Sequence, residues 1–160
     1  MDDNTQLVVI GTGEQRYEDM FRYYAYRYPN KVSANILYSD DLAHKLYAAA
    51  DAFLMPSLFE PCGLTQIIAF RYGTVPIVRE TGGLKDTVEP LNEFEDTGDG
   101  FSFTNYNGDD MVNVINYSKY IFFEQRKIWN NMVKRGMKKD LSWGVSKKRY
   151  EEIYNTLIGR

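Results

Sequence analysis

Cysteine and histidine are nearly absent from this chain: Cys62 and His44 are single examples in 160 residues. A lone cysteine forms no intrachain disulfide, so the redox compartment is unreadable, and one Cys with one His does not make a zinc site. Charge of one sign is missing too. The net charge is −3 and both signs are interspersed, which argues against a nucleic-acid groove or a polybasic membrane patch. No apolar run approaches the roughly 20 residues of a membrane span, and no signal or transit segment is visible. The basic run Lys134-Arg135-Gly136-Met137-Lys138-Lys139 falls between two helical patterns and is expected to be a solvated helix end. Glu93-Phe94-Glu95-Asp96-Thr97-Gly98-Asp99 is acidic but has no regular calcium-loop spacing. It reads as a mobile, solvated loop.

What is present is an alternation of strand and helix patterns. Leu7 to Ile10 is a β-branched run that stops at Gly11-Thr12-Gly13, and Glu14 to Tyr28 is aromatic-rich with helical spacing. Val32 to Tyr38 is a weaker strand pattern. Ser39 is the expected N-cap of the next helix, with Asp40 and Asp41 in its first turn and Leu42, Leu46 and Ala49 on its buried face. Ala52-Phe53-Leu54-Met55 reads as a buried strand, Leu64 to Tyr72 as a helix closed by Gly73, and Val75 to Val78 as another strand. Gly82-Gly83 opens a short helix, Gly100 to Phe103 alternates like a strand, and three helices follow from Asp109, the last capped by Ser142. Trp129 and Trp143 read as packing anchors. The pattern predicts an α/β fold: a doubly wound parallel sheet, Rossmann-like, with C-terminal helices. Ligands of such sheets bind beyond the carboxyl ends of the strands. Each loop of interest follows a strand, so the motifs are expected to gather on one edge, and residues 1–160 to form a single domain.

The most informative stretch is Leu58-Phe59-Glu60-Pro61-Cys62-Gly63-Leu64-Thr65-Gln66. A glycine-bearing turn leads from a buried strand into a helix start, whose free N–H groups and dipole favour an anion. Glu60 at the mouth would repel a bare phosphate but suits the hydroxyls of a sugar attached to one. The stretch resembles the signature of bacterial glycogen synthases and plant starch synthases. Tyr72-Gly73-Thr74-Val75-Pro76-Ile77-Val78-Arg79, Thr81-Gly82-Gly83-Leu84-Lys85-Asp86-Thr87-Val88 and Leu141-Ser142-Trp143 extend the likeness in the family's order, over nearly the whole chain.

The resemblance implies the second domain of the two-domain GT-B glycosyltransferase fold, a nucleotide-sugar-binding domain. The family's first strand-helix unit of that domain, with an Arg and a Lys that neutralise the donor's phosphates, and its whole N-terminal domain have no counterpart here. The implied reaction is transfer of glucose from ADP-glucose to the non-reducing end of an α-1,4-glucan, with retention of configuration and ADP as leaving group. The implied partners are ADP-glucose or ADP, the glucan acceptor and the enzyme's own N-terminal domain. Metal and cofactor are not implied, and neither nucleic acid nor membrane is. The implied location is the bacterial cytoplasm, or the plastid in a plant or alga.

Carried onto this sequence, the resemblance makes Glu60 the catalytic carboxylate beside the anomeric carbon. Cys62 and Gly63 approach the sugar, Leu64 and Thr65 offer backbone N–H groups and a hydroxyl to phosphate, Gly82 and Gly83 line the phosphate loop, and Tyr38 stacks on adenine. Each also has an ordinary structural reading: capping at 64–65, turn chemistry at 62–63 and 82–83, packing for one of 13 tyrosines. Where related sugar-nucleotide transferases place a second Glu, this chain has Ile68, as glycogen and starch synthases commonly lack it. The rival readings are a stand-alone nucleotide-sugar-binding or interaction module, and a dinucleotide oxidoreductase. Gly11-Thr12-Gly13 lacks the third glycine the latter requires.

Overall fold

A computed structural model describes residues 4–159, and the chain divides after Ala49 into two units. In the first unit, β1 (Leu7–Ile10) and β2 (Val32–Asn35) pair in parallel with Leu7 opposite Val32. A parallel pair needs a crossover, and α1 (Gln15–Arg27) supplies it. α2 (Asp40–Ala49) follows, and the Ser39 hydroxyl accepts the Leu42 N–H at 3.2 Å as the expected N-cap. β2 stops three residues short of the expected Tyr38. The Asn35 side chain turns back to donate to the Val9 carbonyl and the Ser33 hydroxyl, and Leu37 and Tyr38 are exposed. The buried residue of α2 is Tyr47; Leu42 and Leu46 are half-buried and Ala49 is exposed. An apolar cavity of about 460 Å³ lies beside Leu7 and Val32, at the amino ends of these strands and so opposite the ends that carry loops.

The second unit holds β3 (Ala52–Met55), α3 (Thr65–Tyr72), β4 (Val75–Arg79), α4 (Gly82–Thr87), β5 (Phe101–Phe103), α5 (Gly108–Glu124), α6 (Arg126–Lys138) and α7 (Trp143–Leu157). Its sheet is parallel, in the order β3-β4-β5. Central β4 is buried from Val75 to Val78, as both-face coverage demands. Pro76, which lacks an N–H, sits one residue before β5 begins to pair at Ile77. Alternation along the strands splits the core between two faces. Val75, Ile77 and Phe101 pack with Ile121, Trp129 and Met132 of α5 and α6. Met55 and Val78 pack with Phe70, Leu84 and Val88 around α3 and α4. At roughly 1.5–3 kcal/mol for each large apolar side chain fully buried, these two clusters are the principal stabilising term of the unit.

Gly73 ends α3 in the left-handed region at φ 79°, and its N–H bonds back to the Phe70 carbonyl. Gly136 lets α6 cross α3 closely, since a Cβ there would lie 2.5 Å from the Phe70 ring. Two expectations are corrected. Trp143 is 86 % exposed and anchors nothing in this unit, whereas Trp129 is buried. Ser142 holds the N-cap position of α7 without making a side-chain cap bond.

The acidic loop is tied down rather than free, and the basic run is what ties it. Arg135 donates to the Gly98 and Asp96 carbonyls and to the Asp96 carboxylate, and Asn131 donates to the other Asp96 oxygen. Asp99 is 5 % exposed, accepts the Glu89 N–H and pairs with Lys139, whose ammonium also donates to the Thr87 carbonyl. Among the described residues no cluster of three or more His, Cys, Asp or Glu is placed to hold a metal ion, and no helix is long and apolar enough to cross a membrane.

Candidate functional site

Two loops at the carboxyl ends of β3 and β4 interlock in the second unit. Residues 56–64 run from the end of β3 to the start of α3, and Glu80-Thr81 joins β4 to α4. Arg79, the last residue of β4, clamps the base of the first loop: its guanidinium donates to the Ser57 carbonyl at 2.8 Å and the Leu58 carbonyl at 2.6 Å. The same group reaches the Thr104 carbonyl and lies 5.6 Å from the centre of the Tyr106 ring. Beyond this clamp the Gly83 N–H donates to the Glu60 carbonyl at 3.1 Å.

Such closeness is possible only without side chains at 82 and 83. A Cβ on Gly82 would stand 2.1 Å from the Glu60 carbonyl oxygen, and one on Gly83 would stand 1.9 Å from that of Cys62. Gly82 is also left-handed at φ 44°. The expected gathering of motifs on one sheet edge is therefore observed within this unit for Glu60, Cys62, Gly63, Leu64, Thr65, Gly82 and Gly83.

Glu60 is half-buried, and its carboxylate has no ion-pair partner among the described residues. Cys62 is an exposed free thiol. Leu64 occupies the N-cap of α3, 66 % exposed, with no side-chain acceptor for the first-turn N–H groups. That helix start is left uncapped by its own side chain. The Thr65 hydroxyl points elsewhere than expected: it donates to the Met55 sulfur at 3.1 Å, tying the helix start to the end of β3. Tyr38 belongs to the first unit, in the turn between β2 and α2, and is 89 % exposed. His44 lies half-buried on α2, 3.8 Å from the Asp40 carboxylate.

Sequence reasoning assigned no role to Arg79, Gln66 or Thr87, which hold these loops in place. One signal was available. Gln66, Ala69 and Phe70 share the buried face of α3, and a polar residue on such a face needs partners.

The family model of glycosyl transferases group 1 matches residues 1–136. The glycogen synthase of Lachnospira eligens is 61 % identical over 155 residues, covering 97 % of this chain and 32 % of that protein. That of Clostridium acetobutylicum is 52 % identical over 158 residues, covering 99 % and 33 %. Among solved structures, the catalytic domain of starch synthase IV from Arabidopsis thaliana, bound to ADP and acarbose, aligns with a TM-score of 0.83 at 32 % identity. It covers 97 % of this chain and 33 % of that one. Anabaena HepE in complex with UDP shares the fold, with a TM-score of 0.68 at 20 % identity over 96 % of this chain and 42 % of its own. The chain spans about a third of the length of the curated relatives it matches. With the family model covering most of its length, and an α/β architecture of parallel sheets and flanking helices to match, the chain belongs to the group 1 glycosyl transferases.

Proposed function

We propose that this chain is the donor-binding domain of a retaining glucosyltransferase that passes glucose from ADP-glucose to the non-reducing end of an α-1,4-glucan. The observation that carries the reading is the interlocked pair of loops: half-buried Glu60 stands, with its carbonyl bonded to the Gly83 N–H, in the loop that leads into an uncapped helix start at Leu64-Thr65. Fixed dipoles aimed at developing charge need no reorganisation during the reaction. As the bond from the anomeric carbon to ADP breaks, positive charge grows on the sugar and negative charge on the diphosphate. Glu60 steadies the first; the first-turn N–H groups of α3 and the Gly82-Gly83 start of α4 receive the second. The acceptor hydroxyl forms the new bond to that carbon, and its proton leaves on the departing phosphate. Neither metal nor cofactor enters the scheme. Tyr38, exposed in the first unit, is the proposed platform for adenine.

Chemistry in a two-domain cleft needs both walls, and the curated relatives are about three times as long as this chain. The chain alone is accordingly proposed to bind donor without turning it over, with the relatives' remaining domain supplying the acceptor side; the bacterial cytoplasm is the proposed location. The test is calorimetric titration of ADP-glucose, ADP and UDP into the chain after a melt shows cooperative unfolding. The reading expects saturable binding that favours ADP over UDP. Tyr38→Ala should lower it by about 5- to 150-fold, the range of a lost base–aromatic stack, with no change in melting. Absence of binding by the folded chain, or indifference between ADP and UDP, contradicts it. Glucan elongation by the chain alone would overturn the division of labour.

A further inference from the structure

Gln66 is fully buried in the first turn of α3, and its side-chain amide bonds to the turn at 62–63 and to Thr87. Its Nε2 donates to the Gly63 carbonyl at 2.6 Å, to the Thr87 hydroxyl at 2.9 Å and, more weakly, to the Cys62 carbonyl at 3.3 Å. Thr87 passes the link on, since its hydroxyl donates to the Gly83 carbonyl at 2.5 Å. One primary amide thus joins the turn at 62–63 to Thr87 at the end of α4, and Thr87 bonds back along that helix to Gly83. The orientation of the amide is forced: reversed, its oxygen would face two carbonyl oxygens. As it stands, Oε1 is buried without a hydrogen-bond partner among the described residues, packed where a Cβ on Gly63 would lie 2.5 Å away.

An orphaned buried acceptor is costly, and an apolar side chain of similar volume would fill the same space without it. Packing alone does not account for a glutamine at this position. Resting on the donor-site reading above, we propose that Gln66 is a positioning residue: through Thr87 it latches the sugar-side turn at Cys62-Gly63 to the phosphate-side segment at Gly82-Gly83. The latch fixes the spacing between groups that would meet the glucose and groups that would meet the diphosphate. Its loss therefore affects a ligand that touches both sides more than one that touches the phosphate side alone.

The experiment compares affinities of the chain for ADP-glucose and ADP in Gln66→Met, Thr87→Val and Thr87→Ser. The ratio of the two affinities measures what the sugar adds. In Gln66→Met and Thr87→Val that ratio should fall about tenfold, the equivalent of one to two hydrogen bonds, while ADP affinity moves less than about threefold. Thr87→Ser keeps the hydroxyl and should keep the ratio. Melting should be little changed in Gln66→Met, which removes an orphaned acceptor along with the bonds. If Gln66→Met fails to fold, the Thr87 pair decides alone. Amide exchange gives a second readout: the Gly83 N–H, bonded to the Glu60 carbonyl, should lose protection in Gln66→Met while the central turn of α3 keeps its own. Ligand binding with an unaltered ratio in Gln66→Met and Thr87→Val, or an equal loss in Thr87→Ser, overturns the proposal. Failure of the wild-type chain to bind either ligand overturns the donor reading and this role with it.

Discussion

The closest approach in the site gives the sharpest test of how it is built. Gly83 is buried and its backbone has no left-handed requirement, so alanine there meets no conformational penalty of its own. The cost is steric. The new methyl would fall 1.9 Å from the Cys62 carbonyl oxygen and 2.6 Å from the Cys62 Cα, all backbone that cannot rotate aside. Forcing one methyl group into a packed site costs about 1–3 kcal/mol. Separating the segments also strains the bond from the Gly83 N–H to the Glu60 carbonyl, worth about 1 kcal/mol. Gly83→Ala should therefore lose about 2–4 kcal/mol, or roughly 4–16 °C in melting temperature for a chain of this size. Gly108, the first residue of α5, is the control. Its Cβ would meet open space at an ordinary φ, so Gly108→Ala should gain about 0.4–1 kcal/mol by restricting the unfolded chain. Urea denaturation followed by fluorescence of the buried Trp129 measures both. A Gly83→Ala variant within about 0.5 kcal/mol of wild type would refute the interlock, because that is the range of a neutral surface change.

Lys139→Met removes the partner of an almost buried carboxylate, Asp99, together with the bond to the Thr87 carbonyl. The expected loss is about 2–3 kcal/mol by denaturation, below the full cost of an orphaned interior charge because the lysine is itself partly exposed. On the acid side, Asp96 is held below the ordinary carboxyl value of 3.8, first by the hydrogen bond from Asn131 and then by Arg135. A depressed folded-state pKa stabilises the fold above the unfolded value and loses that contribution as pH falls through the folded one. Melts between pH 5 and pH 2 should accordingly be shallower in pH for Asp96→Asn than for wild type. The effect should be small, since the pair is part-exposed and screened. Cys62 is exposed at the sugar-side turn. ADP-glucose should slow its alkylation by iodoacetamide more than ADP does, and equal protection would detach the thiol from the sugar.

The strands and the motif loops were readable because short-range chemistry fixes them. Ala52–Met55 and Val75–Arg79 are apolar runs bounded by breakers, and Gly73 stops α3 by the left-handed turn its position demands. What bonds to what across the chain was less readable. Arg135 and Lys139 looked like a solvated cationic end because their acidic partners lie 39 and 40 residues upstream. Trp143 looked like an anchor from its helical neighbours, yet α7 has no buried residue. The Thr65 hydroxyl was assigned to phosphate on its place in a motif, whereas the end of β3 brings a sulfur within reach. Gln66 and Thr87 are 21 residues apart, and only the parallel pairing of β3 with β4 brings the start of α3 within hydrogen-bond reach of the end of α4.

The central claim, that the turn at 62–65 and the segment at 82–84 together hold a sugar nucleotide, is tested most directly by nuclear magnetic resonance of the labelled chain titrated with ADP-glucose. The account predicts saturable shifts of the backbone amides of Cys62, Gly63, Leu64 and Thr65 together with Gly82, Gly83 and Leu84. ADP alone should move the 64–65 and 82–84 groups and leave Cys62 and Gly63 less affected. A saturating ligand that shifts amides elsewhere in the chain and leaves both of these segments unmoved would contradict it.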